Sequence, residues 1–251
     1  MRVMEYPLEL GRSLIVSPHP DDAVFSCWSH LVAQDGSSVI VIFDGIPNTD
    51  DLTPYDRFTG ATSSKNRAHI RVKEDQEALA RLGARRRSFS LLDRQYDESL
   101  AFRGELGRLL VDEFQTSESR VFIPASIGGH EDHLLARDSS LEALHPLSHE
   151  VFLYADLPYA AYYGWAPSIT GGQESPYLNI GEYYSRSLET ISQWKVGEAL
   201  VVRLDQMEQA RKEESMRMYA TQFPAMEGGP SRWLTHPDRI AYEVVWRLSR
   251  L

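Results

Sequence analysis

Short apolar runs alternate with amphipathic stretches as far as Tyr154, and this alternation sets the expected elements. Ser13–Ser17 is a compact apolar run without helical spacing and reads as a buried strand. Pro18 and Pro20 break regular structure, and Asp21 or Asp22 can cap a helix over about Ala23–Ala33, closed by Asp35-Gly36. Val39–Phe43 reads as a second buried strand. Ile46–Asn66, rich in Pro, Asp, Thr, Ser and Gly, reads as a long loop, and such loops often cover sites in compact enzymes. Helices are predicted over Ile70–Leu82, Leu100–Phe114 and Leu134–Ala143, with Gly83 as a C-cap of the first. Strands are predicted over Ser88–Leu92, Arg120–Pro124 and Val151–Tyr154, with a loop at Ser126–His130.

This order predicts an α/β fold, a doubly wound, mostly parallel sheet with helices on both faces. In such sheets ligands bind outside the carboxyl ends of the strands. Beyond Tyr154 the pattern weakens. Leu157–Gly181, dense in aromatics, Pro and Gly, reads as irregular; a helix is expected over Asp205–Tyr219; Ile240–Leu248 fits helix or strand. The 251 residues are read as a single domain over 1–251, with a core at about 12–156 and a C-terminal extension at about 157–251 packed on it.

A net charge of −10 argues against nucleic acid or an anionic membrane as the main partner. The run Arg85-Arg86-Arg87 is too short to reverse this and reads as a solvated turn after Gly83. The single cysteine, Cys27, excludes an intrachain disulfide and reads as a small core residue. No apolar stretch approaches the length of a membrane span and the N-terminus shows no signal-peptide core, so the expected location is cytoplasmic.

Against this background two polar clusters stand out. His19-Pro20-Asp21-Asp22 follows the first strand, and His130-Glu131-Asp132-His133 follows the strand at Arg120–Pro124. Taken alone, the first could be a capped turn and the second a polar loop. Together, at two strand ends of one α/β unit, they suit a catalytic divalent metal: two imidazoles and one carboxylate with open positions fit zinc or iron(II). His19, Asp22 and His133 are the candidate ligands. A metal acidifies the water it holds, and the neighbouring carboxylate of Asp21 can take the proton. His130, three residues before His133, could stabilise an oxyanion as an imidazolium or protonate a leaving amine. These are parts for metal-assisted hydrolysis. The remaining histidines, His30, His69, His145, His149 and His236, lack such a partner pattern and read as structural or surface residues.

Ser17-Pro18-His19-Pro20-Asp21-Asp22 followed by Gly129-His130-Glu131-Asp132-His133 resembles the LmbE-like or PIG-L family of zinc-dependent N-deacetylases. The resemblance covers about residues 12–156 well and the remainder loosely. It implies a Rossmann-like fold and hydrolysis of an N-acyl group, usually acetyl, from an amino sugar or related metabolite. It implies zinc on His19, Asp22 and His133, Asp21 as general base and His130 as the electrophilic or acid group. Arg71, in a stretch resembling the family's RxxE helix, would then reach the sugar, and Asp93 a substrate hydroxyl; Arg71 and Glu74 could instead simply pair on a helix surface. Two departures stand out: Ala23 replaces a common Glu, and Gly128 stands where some members carry Tyr, leaving more room beside His130. The form of the first motif, with Tyr154–Ala160, looks most like the branch near glycopeptide-antibiotic deacetylases. Two other classes compete: a metal-dependent phosphoesterase, which would want more carboxylates and often two metals, and a non-catalytic glycan or metabolite binder that keeps the motif as a turn.

Overall fold

The computed structural model describes residues 3–5, 12–33, 36–99, 102–117, 120–173, 176–189, 191–228 and 233–251. Its centre is an eight-stranded sheet. Five parallel strands form the core: β2 (Ser13–Ser17), β3 (Ser38–Val41), β4 (Arg85–Ser88), β5 (Arg120–Pro124) and β6 (Val151–Tyr154), in the spatial order 4-3-2-5-6. The inner strands are buried on both faces, which is why they read as unbroken apolar runs.

The order reverses between β2 and β5; crossovers in such parallel sheets are right-handed as a rule, so those running in opposite directions from that point put their helices on opposite faces. Helix α1 (Asp22–Val32) links β2 to β3, α3 (Ser64–Arg81) links β3 to β4, α4 (Arg103–Thr116) links β4 to β5, and α5 (Glu131–Leu144) links β5 to β6. The parallel sheet and the flanking helices thus follow the expectation from the sequence.

Several boundaries differ. The segment expected to be one long loop holds a short helix α2 (Pro54–Phe58), and α3 begins at Ser64 because Ser63 accepts the Asn66 N–H as its cap. Leu100, the expected start of α4, lies outside the described residues, as does Asp35 at the end of α1. The arginine run is strand β4 where a turn was expected, so the strand lies at Arg85–Ser88 and not at Ser88–Leu92; Arg85 and Arg87 are exposed, as a solvated run would be. Arg86 reaches Asp44 at 2.6 Å and Asp75 at 2.5 Å, so this half-buried guanidinium is neutralised by two carboxylates.

The C-terminal portion joins the same sheet. Strand β8 (Tyr242–Arg250) pairs antiparallel with β6, β7 (Trp194–Arg203) pairs antiparallel with β8, and β1 (Val3–Glu5) pairs parallel with β7. The ambiguous end of the chain is therefore a strand, and β7 has no counterpart among the expected elements. The expected irregular stretch contains a 3-10 turn (Tyr159–Ala161), α6 (Pro167–Thr170) and the start of α7 (Ile180–Leu188). Helix α8 (Gln206–Met216), capped by Asp205 and Glu208, packs on α1. Lys212 on α8 and Glu243 on β8 form a fully buried pair at 2.6 Å, and Glu243 accepts the Ser29 N–H at 3.0 Å just past the kink in α1 at Cys27. A buried charge needs such saturation of its partners. The kinked helix behind the first motif is thus braced from the far end of the chain.

Candidate active site

Both motifs lie at the reversal of strand order, outside the carboxyl ends of β2 and β5. The turn after β2 is closed by Ser17, whose hydroxyl donates to the His19 carbonyl at 2.7 Å and accepts the Ala23 N–H at 3.0 Å. Asp21 has φ 119°, an uncommon conformation for a residue with a side chain, and strain of this kind needs surrounding support. Asp21 occupies the N-cap position of α1 but makes no side-chain capping bond. Asp22 turns back and accepts the His19 N–H at 2.8 Å. Neither carboxylate is spent as the expected helix cap.

The turn after β5 uses positive φ at Ser126, Gly128 and Gly129. It ends in His130, whose Nδ1 accepts the Asp132 N–H at 3.3 Å as the N-cap of α5. The helix therefore starts three residues earlier than its apolar spacing suggested. His133 sits in its first turn.

These elements bring His19, Asp22 and His133 together. Asp22 Oδ2 lies 3.5 Å from His19 Nδ1 and 3.4 Å from His133 Nε2. The three ligand atoms fall within 4.8 Å of one another. The opposite nitrogen of each ring is held by a buried carboxylate: His19 Nε2 by Asp132 at 2.9 Å, and His133 Nδ1 by Asp156 at 2.7 Å. Asp156 is itself pinned by the Ile127 N–H at 3.1 Å. Metal-ligating imidazoles are held in this manner, which fixes tautomer and ring orientation. His133 Nε2 is buried without a hydrogen-bond partner, so the donor set fits a divalent cation at that point.

The electrostatics agree. Burial opposes charge on His19 and His133, but Asp93 and Asp132 around the first, and Asp22 and Asp156 around the second, raise both imidazoles above their ordinary range. The carboxylates are thus arranged to hold positive charge here. Burial also works against an ionised Asp22, yet His133 and His19 bring it down to about 2. Asp21 moves the other way, to about 8, because burial and the neighbouring Asp22 outweigh Arg71. Adjacent carboxylates with opposite shifts are the pattern expected of groups with different tasks.

Arg71 and Asp93 both line the same cavity, of about 610 Å³, with His19, Asp21, Asp22 and His130. Arg71 lies 4.0 Å from Asp21 Oδ2 and 3.6 Å from Asp93 Oδ2. The helix-surface pairing of Arg71 with Glu74 is not what forms: Glu74 accepts from the Thr221 N–H and hydroxyl at 2.9 and 2.6 Å. All seven candidate residues therefore converge on one region.

Residues 14–144, more than half of the chain, match the family described as GlcNAc-PI de-N-acetylase, PIG-L. The chain belongs to the PIG-L family. It is similar to the 2'-N-acetylparomamine deacetylase of Streptomyces fradiae, 30% identical over 180 residues that cover 63% of this chain and 61% of that protein. Among solved structures it is similar to a triple mutant of a deacetylase of the teicoplanin biosynthetic pathway. That match has a TM-score of 0.73 and 26% identity over 96% of this chain and 99% of the other. The A40926 pseudoaglycone deacetylase matches with a TM-score of 0.72 and 27% identity over 95% of this chain and 97% of the other.

Set within this PIG-L framework, two residues of the site, Asp132 and Asp156, were not legible as such in the sequence, whereas Tyr159 belongs to the aromatic stretch Tyr159–Trp165 whose composition suggests a pocket wall. Asp132 was visible only as part of the second motif, and Asp156 only as part of a stretch after β6; their pairing with His19 and His133 depends on the chain crossing the sheet. Tyr159 lines the cavity with its ring centroid 5.7 Å from His130 and 5.3 Å from His133. It also corrects the expectation at Gly128. A Cβ there would come within 3.0 Å of Tyr159 Cβ and of the Tyr183 hydroxyl, so the expected room is already filled by tyrosines from the C-terminal portion.

Proposed function

We propose that this protein hydrolyses an N-acyl amide, above all N-acetyl, on an amino sugar or sugar-containing metabolite and releases the free amine. The observation that carries this reading is the convergence of two carboxylate-held imidazoles and Asp22 beside Asp21, whose Oδ2 is buried without a hydrogen-bond partner. The ligands assigned are His19 through Nδ1, Asp22, and His133 through Nε2, with zinc as the metal; iron(II) suits the same donors. Such a metal supplies Lewis-acid polarisation of the acyl carbonyl and acidifies water.

The chain's own groups do the rest. Asp21 Oδ2 takes the proton of the attacking water and returns it to the departing amine nitrogen. His130 faces the acyl oxygen. Because its Nδ1 accepts the Asp132 N–H, its ring proton sits on Nε2, and it acts as a neutral donor to the developing oxyanion. Burial and the neighbouring His19 and His133 lower its pKa to about 4, in keeping with that role. This differs from the imidazolium or acid expected at first, and leaves the amine's proton to Asp21. Arg71 and Asp93 bind substrate hydroxyls at the cavity wall, and Arg71 also holds the Asp21 carboxylate in place.

The named activities of the similar proteins, on 2'-N-acetylparomamine and on A40926 pseudoaglycone, support an amino-sugar conjugate of secondary metabolism as substrate. The cytoplasm is the assigned compartment, in keeping with a lone, buried Cys27. No helix among the described residues is long and apolar enough to cross a membrane. The chain is assigned to act as one unit, since its C-terminal portion contributes Tyr159 and braces α1.

The test is an assay of zinc-loaded protein against N-acetylated amino sugars, aminoglycosides and glycopeptide aglycone glycosides, scored for free amine. Release from at least one class is expected. No release from any of them, with zinc bound, would remove the deacetylase reading.

A further inference from the structure

Tyr55 lines the same cavity as Asp21, Arg71 and Asp93, yet none of the tasks above uses it. It is carried by α2, inside the segment whose composition suggested a loop over the site. A helix of five residues has little stability of its own, so outside ties decide where Tyr55 stands. Such ties hold both of its flanks. Thr53 accepts the Asp56 N–H at 3.1 Å and donates its hydroxyl to Gln95 Oε1 at 2.6 Å. Gln95 passes the tie on, donating from Nε2 to Asp93 Oδ2 and from its backbone N–H to Asp93 Oδ1, each at 3.0 Å. On the other side, buried Asp56 accepts the Tyr96 hydroxyl at 3.0 Å and the Ser64 hydroxyl. Tyr55 is therefore held in register with Asp93, one of the residues assigned to substrate hydroxyls.

The Tyr55 hydroxyl itself is unused. Among the described residues none hydrogen-bonds to it, and it is not shut away from solvent, so it opens into the cavity. Burial pushes the phenol up to about 12 against the pull of Arg71, so at neutral pH it is a donor. Its ring adds an apolar face beside the polar Arg71 and Asp93, a pairing by which cavities fix a ligand's orientation. A pyranose presents the matching surface, with hydroxyls at its edge and C–H groups on its face. We propose that Tyr55 is a specificity-determining residue that holds the sugar of the substrate, its hydroxyl bonding a sugar hydroxyl and its ring covering one sugar face. The proposal rests on the amino-sugar reading above. Such contacts are made away from the acyl carbonyl and are the same before and during its cleavage. They therefore govern KM and leave kcat to Asp21 and His130.

The test is steady-state kinetics of zinc-loaded, full-length wild type, Tyr55→Phe and Tyr55→Leu on N-acetylglucosamine and 2'-N-acetylparomamine, scored for free amine, with bound zinc measured alongside. Tyr55→Phe loses one hydrogen bond and should raise KM by about three- to ten-fold. Tyr55→Leu also loses the aromatic face and should raise it by roughly thirty-fold or more. In both variants the zinc content should equal that of wild type, and the loss should fall on KM and not on kcat. An unchanged KM in Tyr55→Phe, or a loss confined to kcat, overturns the role of Tyr55 and leaves the proposed function standing. A zinc-bound wild type that frees no amine from either compound overturns the amino-sugar substrate on which the proposal rests, and the proposal with it.

Discussion

The two imidazoles of the proposed metal site are held by similar means but in unequal surroundings. His133 is tied at Nδ1 to Asp156, which is buried and anchored by the Ile127 N–H. His19 is tied at Nε2 to Asp132, whose second oxygen has no partner and which borders the cavity. One side is a closed structural brace and the other is open to solvent and to the reacting groups. The difference teaches that two ligands of one metal can be built to different ends. The His133 side supplies rigidity, while the His19 side carries Asp21, the group proposed to exchange protons.

The strongest way to break this comparison is to remove a ligand from each side. His19→Ala and His133→Ala should both lose bound zinc and reduce turnover by about a thousand-fold or more, as measured by metal analysis and amine release. If either variant kept its zinc, the three-ligand assignment would fail on that side. The braces should separate the two sides more finely. Asp156→Asn should weaken zinc binding toward the upper end of the roughly 10–100-fold range for such partners, and Asp132→Asn toward the lower end. Equal losses, read by competition with a chelator, would mean that the closed and open sides do not differ.

Arg71 lies on the open side, beside Asp21 and Asp93. It opposes the upward shift of Asp21, so Arg71→Met should move the acid limb of kcat/KM to higher pH and lower activity near neutrality by roughly ten-fold. An unmoved limb would detach Arg71 from Asp21. The smallest effect lies away from both. Burial, with Arg120 and Lys212 nearby, lowers His30 from 6.5 to about 3, so the unfolded chain binds its proton first as pH falls. Stability is then lost between those values, by about 2 kcal/mol on going from pH 7 to pH 5. Denaturant titrations of wild type and His30→Gln at the two pH values should show that difference shrink in the variant.

The same contrast explains what could be read in advance. Ser13–Ser17, Arg120–Pro124 and Val151–Tyr154 are strands with the expected bounds, because buried parallel strands are apolar on both faces. The ligand candidates were legible because imidazoles and carboxylates after strand ends are a local pattern. Helix starts at Ser64 and Glu131 were not, since both first turns are polar and their caps are side-chain hydrogen bonds. Strand β7 was missed because its exposed residues interrupt the alternation. The Asp132 and Asp156 braces join residues far apart in sequence, 113 positions for His19 with Asp132, so no local spacing announces them.

The division of labour between Asp21 and Asp22 is the centre of this account, and Asp21→Asn measures it most directly. The side chain keeps its size and loses its ability to accept a proton. The predicted result is zinc content equal to wild type with amine release reduced by about a hundred- to ten-thousand-fold. Turnover near the wild-type level with zinc still bound would contradict it.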